Sequence, residues 1–98
     1  MYSPGIYRNL SESEIARKVT EAGFDPIRIS DPPGYVYPPH SHAETKLLAF
    51  LRGDMRVTVA GQTYPCVGGD QLIIPGNVEH SAVIGAEGCE YFWSEKIL

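Results

Sequence analysis

The sequence predicts an all-β domain, either a sandwich or a closed barrel, with one short α-helix near its N-terminus. Ten glycines and eight prolines stand among the 98 residues, whereas the two residue types together average about 12% of a protein. That excess indicates many tight turns and therefore many short strands. Turn signals recur roughly every eight to twelve residues between short apolar segments, which is typical of sandwiches and barrels. No helices alternate with these segments, so a parallel sheet is not predicted.

One segment ahead of the strands has the signature of a helix. Ser11 stands three residues before Glu14, which is the spacing of a capping box. Apolar residues then repeat at helical spacing until Gly23, a residue that commonly ends helices. The pattern predicts a helix over about 12–22. A helix this short is marginally stable by itself, so we expect it to pack on a sheet.

Alternating or continuous apolar segments predict the strands, and Gly, Pro, Asp and Asn residues predict the turns between them. The tripeptide Arg52-Gly53-Asp54 is predicted to be a tight connection, and residues 85–88 are predicted to separate the last two strands. A single domain is expected over residues 1–98, with its barrel core at about 26–95. The predicted strands are 26–30, 35–37, 47–51, 55–59, 63–67, 71–74, 80–84 and 89–94.

Charge and composition argue against several classes of partner. The net charge is −4 and no Lys/Arg run is present, so we expect no nucleic-acid partner. The longest apolar stretch, 47–51, is far shorter than a membrane helix, so no membrane partner is expected. The first residues lack the profile of a secretion signal. Cys66 and Cys89 form neither a CxxC pair nor a disulfide framework, which predicts reduced thiols and a cytoplasmic protein.

Three histidines, the full number in the chain, are the most informative residues. His40 and His42 lie two apart on an extended segment, so their side chains should face the same side. His80 begins another predicted strand after a turn. Imidazoles from two neighbouring strands can converge on one ion at about 2.0–2.1 Å. The pattern is compatible with a metal site, although His-x-His also occurs by chance.

Glycines and a proline stand at defined spacings around these histidines. Residues 34–53 begin with a glycine, followed by five residues and the His-x-His pair, and end on a second glycine. Residues 69–80 place a glycine, five residues and a proline ahead of His80. These spacings resemble the two motifs of the cupin superfamily, which stand here in the right order and cover about half of the chain.

The resemblance implies a small double-stranded β-helix, or jelly roll, whose mouth holds a ligand site. It implies that His40, His42 and His80 match three of the usual four metal-ligand positions. The implied cofactor is a divalent metal ion, with Fe, Mn, Ni and Zn as the candidates. Small cupins commonly dimerise, and the aromatic segment 91–93, which alternation should partly expose, also suggests a homodimer.

One position departs from the family pattern. Counting back from Gly53, the family's glutamate ligand falls on Lys46, and an ammonium group does not coordinate a cation. Three interpretations follow: a site with three histidine ligands, a shifted register in which Glu44 is the fourth ligand, or a metal-free pocket in which Lys46 binds an anion. Lys46 can also be a side chain that extends to solvent along the barrel rim.

The sequence therefore predicts a metal-binding cupin of unassigned activity. Its three-histidine site would bind a small, anionic molecule in the barrel mouth. The alternatives are a metal-dependent oxygenase, isomerase or lyase, and a metal-free module that binds an anion or sugar through Lys46. Tyr35, Tyr37 and Tyr64 lie near the motif strands and are interpreted mainly as core residues.

Overall fold

The structure is a computed structural model that describes residues 1–96. It confirms the predicted all-β fold with one short helix. The final two residues of the predicted domain lie outside the described residues. The elements in chain order are β1 (Tyr2–Ser3), α1 (Glu12–Glu21), β2 (Phe24–Asp31), β3 (Val36–His40), β4 (Lys46–Val59), β5 (Gln62–Val67), β6 (Gln71–Ile74) and β7 (His80–Lys96).

Two long strands, β4 and β7, pair antiparallel along almost their whole length and run through both layers of a jelly roll. The first layer contains the first part of β4 and the last part of β7. In this layer β6 pairs with β4, β1 pairs with β6, and β2 pairs with β7. In the second layer, β5 pairs with the last part of β4 and β3 pairs with the first part of β7. The two layers therefore face each other across an enclosed space.

The expected turns inside β4 and β7 are not present, so this part of the strand prediction is wrong. Arg52-Gly53-Asp54 lies within β4, and residues 85–88 lie within β7. The β4–β7 register shifts on either side of Gly53, where the strands pass from one layer to the other. Gly53 has a φ of 82°, and a Cβ there would collide with the carbonyl of Gly88. A bulge that contains a glycine can bend a continuous strand at such a corner. The same short sequence is also typical of a turn, which is why the prediction failed here.

The apolar run at the start of β4 is buried on both faces of its layer. Leu48 and Phe50 point between the layers, whereas Leu47 and Ala49 pack beneath α1. Two-sided burial explains why the segment is continuously apolar and does not alternate. Both cysteines are free and buried. Burial raises the pKa of each thiol to about 12, so they pack as small neutral side chains.

The helix begins and ends where the sequence indicates. The Ser11 side chain accepts a hydrogen bond from the Glu14 amide, and the Glu14 carboxylate accepts one from the Ser11 amide. Ile15 and Val19 are buried against the outer face of the first layer. Within residues 1–96, no helix is long and apolar enough to span a membrane.

Asp70 ties the N-terminal segment to the barrel. This carboxylate is buried, with 3% of its surface exposed. One oxygen accepts a hydrogen bond from the Gly5 amide at 2.8 Å, and the other accepts bonds from the Tyr2 hydroxyl at 2.8 Å and the Val67 amide at 2.9 Å. Asp70 therefore connects its own turn to β1 and to the residues that follow β1.

We expect the substitution Asp70→Asn to lower the free energy of unfolding by about 3 kcal/mol, since it places an NH₂ group against buried donors and removes charge-assisted hydrogen bonds. Urea denaturation followed by circular dichroism measures the loss. Asp25→Asn is the matched control because Asp25 is an exposed acid on β2, and it should change stability by less than about 0.5 kcal/mol. Equal effects of the two variants would contradict the assignment.

Candidate metal centre

The structure brings His40, His42 and His80 together at one end of the barrel. His40 and His80 are paired across β3 and β7, and their ring centroids lie 4.4 Å apart. The His42 ring lies 5.1 Å from that of His40 and 4.6 Å from that of His80. One ring nitrogen from each residue lies within 4.8 Å of the other two. Three nitrogen atoms this close together could hold one ion.

Backbone carbonyls orient two of the three rings. Nδ1 of His40 lies 2.6 Å from the Pro38 oxygen, and Nδ1 of His80 lies 3.0 Å from the Val78 oxygen. Because a carbonyl only accepts, each Nδ1 carries a proton, and in the neutral ring the lone pair then lies on Nε2. Metal-bound histidines have this same outer hydrogen bond.

His80 provides a direct test of whether the site fits an ion. The residue is 5% exposed, and its Nε2 is a buried atom without a hydrogen-bond partner among the described residues. Leaving such an atom unpaired costs free energy, which a bound cation or donor would recover. Oγ of Ser94 is the other buried atom without a hydrogen-bond partner among the described residues. Side chains alternate between the two faces of a strand, so Ser94 lies on the same face of β7 as Phe92, which is the face under the helix. The donor set therefore fits a divalent metal.

His42 lies outside the regular strands, in the loop after β3, and the turn before β7 holds that loop. The Asn77 amide donates a hydrogen bond to the His42 carbonyl at 2.6 Å. Asn77 has a φ of 62°, so the asparagine supplies the left-handed turn. The neighbouring Gly76 lies so close to Ala43 that a Cβ would collide with its carbonyl. The second motif thus positions a histidine of the first.

Lys46, at the family's usual fourth-ligand position, is buried and not extended along the rim. Its side chain is 8% exposed, and its ammonium lies 2.5 Å from a carboxylate oxygen of Glu95 on the neighbouring strand. The same ammonium is 5.3 Å from the centre of the Trp93 ring.

Burial lowers the pKa of His42, and the nearby charges of His80, Lys46 and His40 lower it further. A lowered pKa keeps the imidazole neutral, as a ligand must be.

Glu44 does not join the histidines. Among residues 1–96, the group of candidate ligand side chains close enough to share an ion consists of the three histidines. The Glu44 side chain is 53% exposed, and one carboxylate oxygen lies 3.9 Å from the Lys46 ammonium. The structure therefore matches the three-histidine interpretation in its arrangement of side chains.

A cavity of about 230 Å³ adjoins His40 and His80 and extends between the two layers. Most of its walls are apolar, and Tyr37, Tyr91 and Trp93 supply aromatic surface. Cavities for drug-sized molecules begin near 300 Å³, so this one suits a smaller ligand. Its remaining lining residues are Ile29, Leu48, Met55, Val57, Ile74, Ser81 and Ala82.

Two tyrosines and one aspartate form a hydrogen-bonded cluster at this cavity. The Tyr37 and Tyr91 hydroxyls donate to the same oxygen of Asp31, at 2.7 Å and 2.8 Å, and their oxygens lie 3.3 Å apart. Burial raises the pKa of both phenols, and the hydrogen bonds to Asp31 raise it further. Both tyrosines therefore stay protonated at neutral pH.

The sequence did not point to this cluster. Asp31 stands at the start of an Asp-Pro-Pro-Gly segment and has the pattern of a turn residue, with no signal of a site. Tyr37 packs against the core, as the sequence predicts, and its side chain also lines the cavity. A register irregularity in β3 lets Tyr37 and His40 both face inward although they lie three residues apart. Of the other two tyrosines near the motifs, Tyr35 is 47% exposed and Tyr64 packs against the core.

The aromatic segment of β7 is turned mostly inward, and within it Trp93 keeps part of its surface exposed. Tyr91 and Phe92 are buried, and Trp93 is half-buried. Tyr91 and Trp93 face the cavity, whereas Phe92 packs beneath α1. Both faces of this strand are covered, because one lies between the layers and the other lies under the helix.

Comparisons with known proteins agree with the fold. A family model described as the AraC-like ligand-binding domain matches residues 24–95. The chain is similar to the Cnp3 cupin domain of Schizosaccharomyces pombe, with 20% identity and a TM-score of 0.70 over 80% of this chain and 58% of that one. It is also similar to an RmlC-like cupin from Shewanella frigidimarina, with 21% identity and a TM-score of 0.69 over 78% and 68% of the two chains.

A curated relative is the dimethylsulfoniopropionate lyase DddW of Ruegeria pomeroyi, which is 36% identical over 59 residues. The match covers 60% of this chain and 39% of the lyase. The family match spans most of the barrel, and the structural neighbours share its jelly-roll fold. The chain therefore belongs to the AraC-like ligand-binding domain family of cupin proteins.

Proposed function

We propose that this chain binds a divalent metal ion through His40, His42 and His80 and presents it to a small carboxylate in the adjoining cavity. The buried, unpartnered Nε2 of His80 carries the proposal, since the carbonyl bond at its Nδ1 fixes the lone pair on that atom. When bound, the ion would act as a Lewis acid. The chain's own residues would orient the ligand and exclude water from it.

The charge of the site favours an anionic ligand. Three neutral imidazoles leave the double positive charge of the ion uncompensated, whereas a glutamate ligand would cancel part of it. Lys46 stands in that position and forms an ion pair with Glu95. The ammonium of Lys46 is therefore already compensated by a carboxylate, which argues against the metal-free anion pocket.

We expect protein loaded with Zn(II) and passed through a desalting column to retain about one ion per chain. His80→Ala should lower the metal affinity at least tenfold because it removes the buried ligand. Inductively coupled plasma spectrometry and a competition titration with a chelator measure both. Glu44→Gln is the matched control, and it should retain the ion since Glu44 lies outside the histidine group. Failure of the parent protein to retain Zn(II), Mn(II), Fe(II) or Ni(II) would contradict the proposal.

We expect propionate to bind the Zn(II)-loaded protein and to lose at least tenfold in affinity when the metal is removed. Isothermal titration calorimetry measures both affinities. Lys46→Met should leave propionate binding nearly unchanged, since the ammonium is already paired with Glu95. Lys18→Met, on the exposed face of α1, controls for the change in net charge. Metal-independent binding that Lys46→Met abolishes would instead support the anion pocket.

A second candidate function is a lyase that acts on a ligand held in this way. Two observations favour it: the similarity to a dimethylsulfoniopropionate lyase, and the cluster of Asp31, Tyr37 and Tyr91 at the same cavity. Either phenol oxygen can accept a proton from a carbon of the ligand while it passes its own proton to Asp31. Such a relay would provide the base that β-elimination needs.

The lyase candidate predicts that metal-loaded protein releases dimethyl sulfide from dimethylsulfoniopropionate. The carbon–sulfur bond breaks, sulfur keeps the electron pair, the neighbouring carbon loses a proton and acrylate remains. Asp31→Asn should slow the release at least 100-fold without weakening propionate binding, and headspace gas chromatography follows the reaction. Release no faster than in a protein-free control would remove this candidate and leave a binding role.

We also propose a cytoplasmic location and a homodimer. Two buried, free cysteines support a reducing compartment such as the cytoplasm. The homodimer loses the support of the aromatic segment, which is mostly covered, and rests on the frequency of dimers among small cupins. Light scattering on the purified protein would decide it.

A further inference from the structure

The second layer has one side that the described elements leave bare. Tyr37, Val57 and Ala82 point into the cavity, so the residues next to them on β3, β4 and β7 point away from it. The helix α1 packs on the first layer and not on this one. We call this surface the outer face, and its residues include Val36, Asp54, Arg56, Pro65, Val67 and Val83.

Much of the outer face is apolar. Cross-strand pairing places Val36, Val83, Arg56 and Pro65 in one row that crosses all four strands of the layer. Val36 is 56% exposed, Val67 48% and Val83 42%. Of the seven exposed large apolar side chains in the described part of the chain, these valines are three, and they share one flat sheet surface. Apolar side chains gathered in this way are typical of an interaction surface.

The polar groups of the outer face are either paired with each other or balanced in charge. Thr58 and Thr63 are cross-strand neighbours on this face, and their hydroxyl oxygens lie 2.8 Å apart. Asp54 and Arg56 lie two residues apart on β4, and neither takes part in an ion pair within residues 1–96. The Asp54 carboxylate occupies the space that a side chain at Gly85 would fill. The face thus presents one anion and one cation side by side.

The edges of the sheet disfavour the other common way in which β domains associate, which is the pairing of edge strands. Prolines, which have no N–H to donate, lie in the edge strands β2, β3 and β5. The fourth edge strand, β1, is only two residues long. Association between copies of this chain would therefore use a face of the sheet and not an edge.

A two-fold axis makes the outer face complementary to itself. If the axis crosses β4 at Met55, at right angles to the strand, two stacked sheets place each Arg56 opposite the Asp54 of the other copy. Because Pro65 pairs with Arg56 and Val67 pairs with Asp54, the same axis places Pro65 opposite Val67. An axis along the strands would bring Arg56 against Arg56. The charges therefore favour the first arrangement.

The size of the outer face indicates how tightly it would bind. It measures about 19 Å across four strands and about 17 Å along them. This is smaller than the about 800 Å² that each partner buries in a standard interface. We therefore expect a weak dimer, with a dissociation constant between about 1 μM and about 100 μM.

We propose that the outer face is the interface of a symmetric homodimer, in which Arg56 of each copy pairs with Asp54 of the other. The balanced charges favour a second copy over a nucleic acid, which would require an excess of positive charge. This inference rests on the homodimer proposed above and adds its surface and symmetry. It is independent of the metal centre, since the outer face lies on the opposite side of the layer from the cavity.

Sedimentation velocity from about 2 μM to about 500 μM tests the surface. We expect a reversible monomer–dimer equilibrium, and Val83→Glu should raise its dissociation constant at least tenfold because it buries a charge among apolar side chains. Ile27→Glu is the matched control, since Ile27 is 53% exposed but lies on β2 in the first layer, and it should leave the constant unchanged. A dimer that Val83→Glu leaves intact would overturn the inference while the homodimer stands. Parent protein that is monomeric at every concentration would overturn both.

Charge variants test the symmetry. Arg56→Glu places two anions on each copy and Asp54→Lys places two cations, so each variant alone should dimerise at least tenfold more weakly than the parent. An equimolar mixture of the two should associate at least tenfold more tightly than either alone, because every contact across the axis is then between opposite charges. Circular dichroism confirms that both variants fold. A mixture that associates no more tightly than its components would overturn the inference.

Discussion

The continuous pairing of β4 with β7 is the constraint on which the rest of the structure depends. These strands run through both layers and bend together where Gly53 meets Gly88. Because both bend at the same place, the two halves of each strand face one another and enclose the cavity. The same pairing sets the position of β3 on the first part of β7, and so brings His40 opposite His80. A flat sheet with the same strands would separate His40, His80 and Tyr37, in the second layer, from Asp31 and Tyr91, in the first.

Different parts of the fold hold the three histidines in place. His40 and His80 are fixed by strand pairing and by carbonyls two residues earlier in the chain. His42 lies in a loop, but the turn at Gly76 and Asn77 restrains it. Lys46 stands where the family pattern has a glutamate. A positively charged ammonium that is paired with Glu95 therefore replaces a carboxylate beside the histidines. The cluster on the described residues therefore consists of three imidazoles, with a paired ammonium where the family has a carboxylate.

Local sequence was sufficient where a feature depends on neighbours in the chain. The helix follows from the Ser11–Glu14 cap, and the histidine cluster follows from the two motifs together with the alternation of β-strands. Local sequence was insufficient at Gly53, because a glycine flanked by polar residues has the same pattern in a turn as in a strand that bends at a barrel corner. The difference lies in the Gly88 carbonyl, which is distant in sequence and leaves no room for a side chain.

The sequence by itself determined the all-β class, the helix, the three histidines and the departure at Lys46, because spacing and residue type express these directly. The tertiary structure alone decided that Glu44 lies outside the histidine group, that Lys46 pairs with Glu95, and that Asp31 joins two tyrosines from different layers. Each of these depends on which side chains two separate strands place at the same level and face. Register, bulges and layer packing set that placement, and they are fixed by contacts across the whole barrel and not by any short segment of the chain.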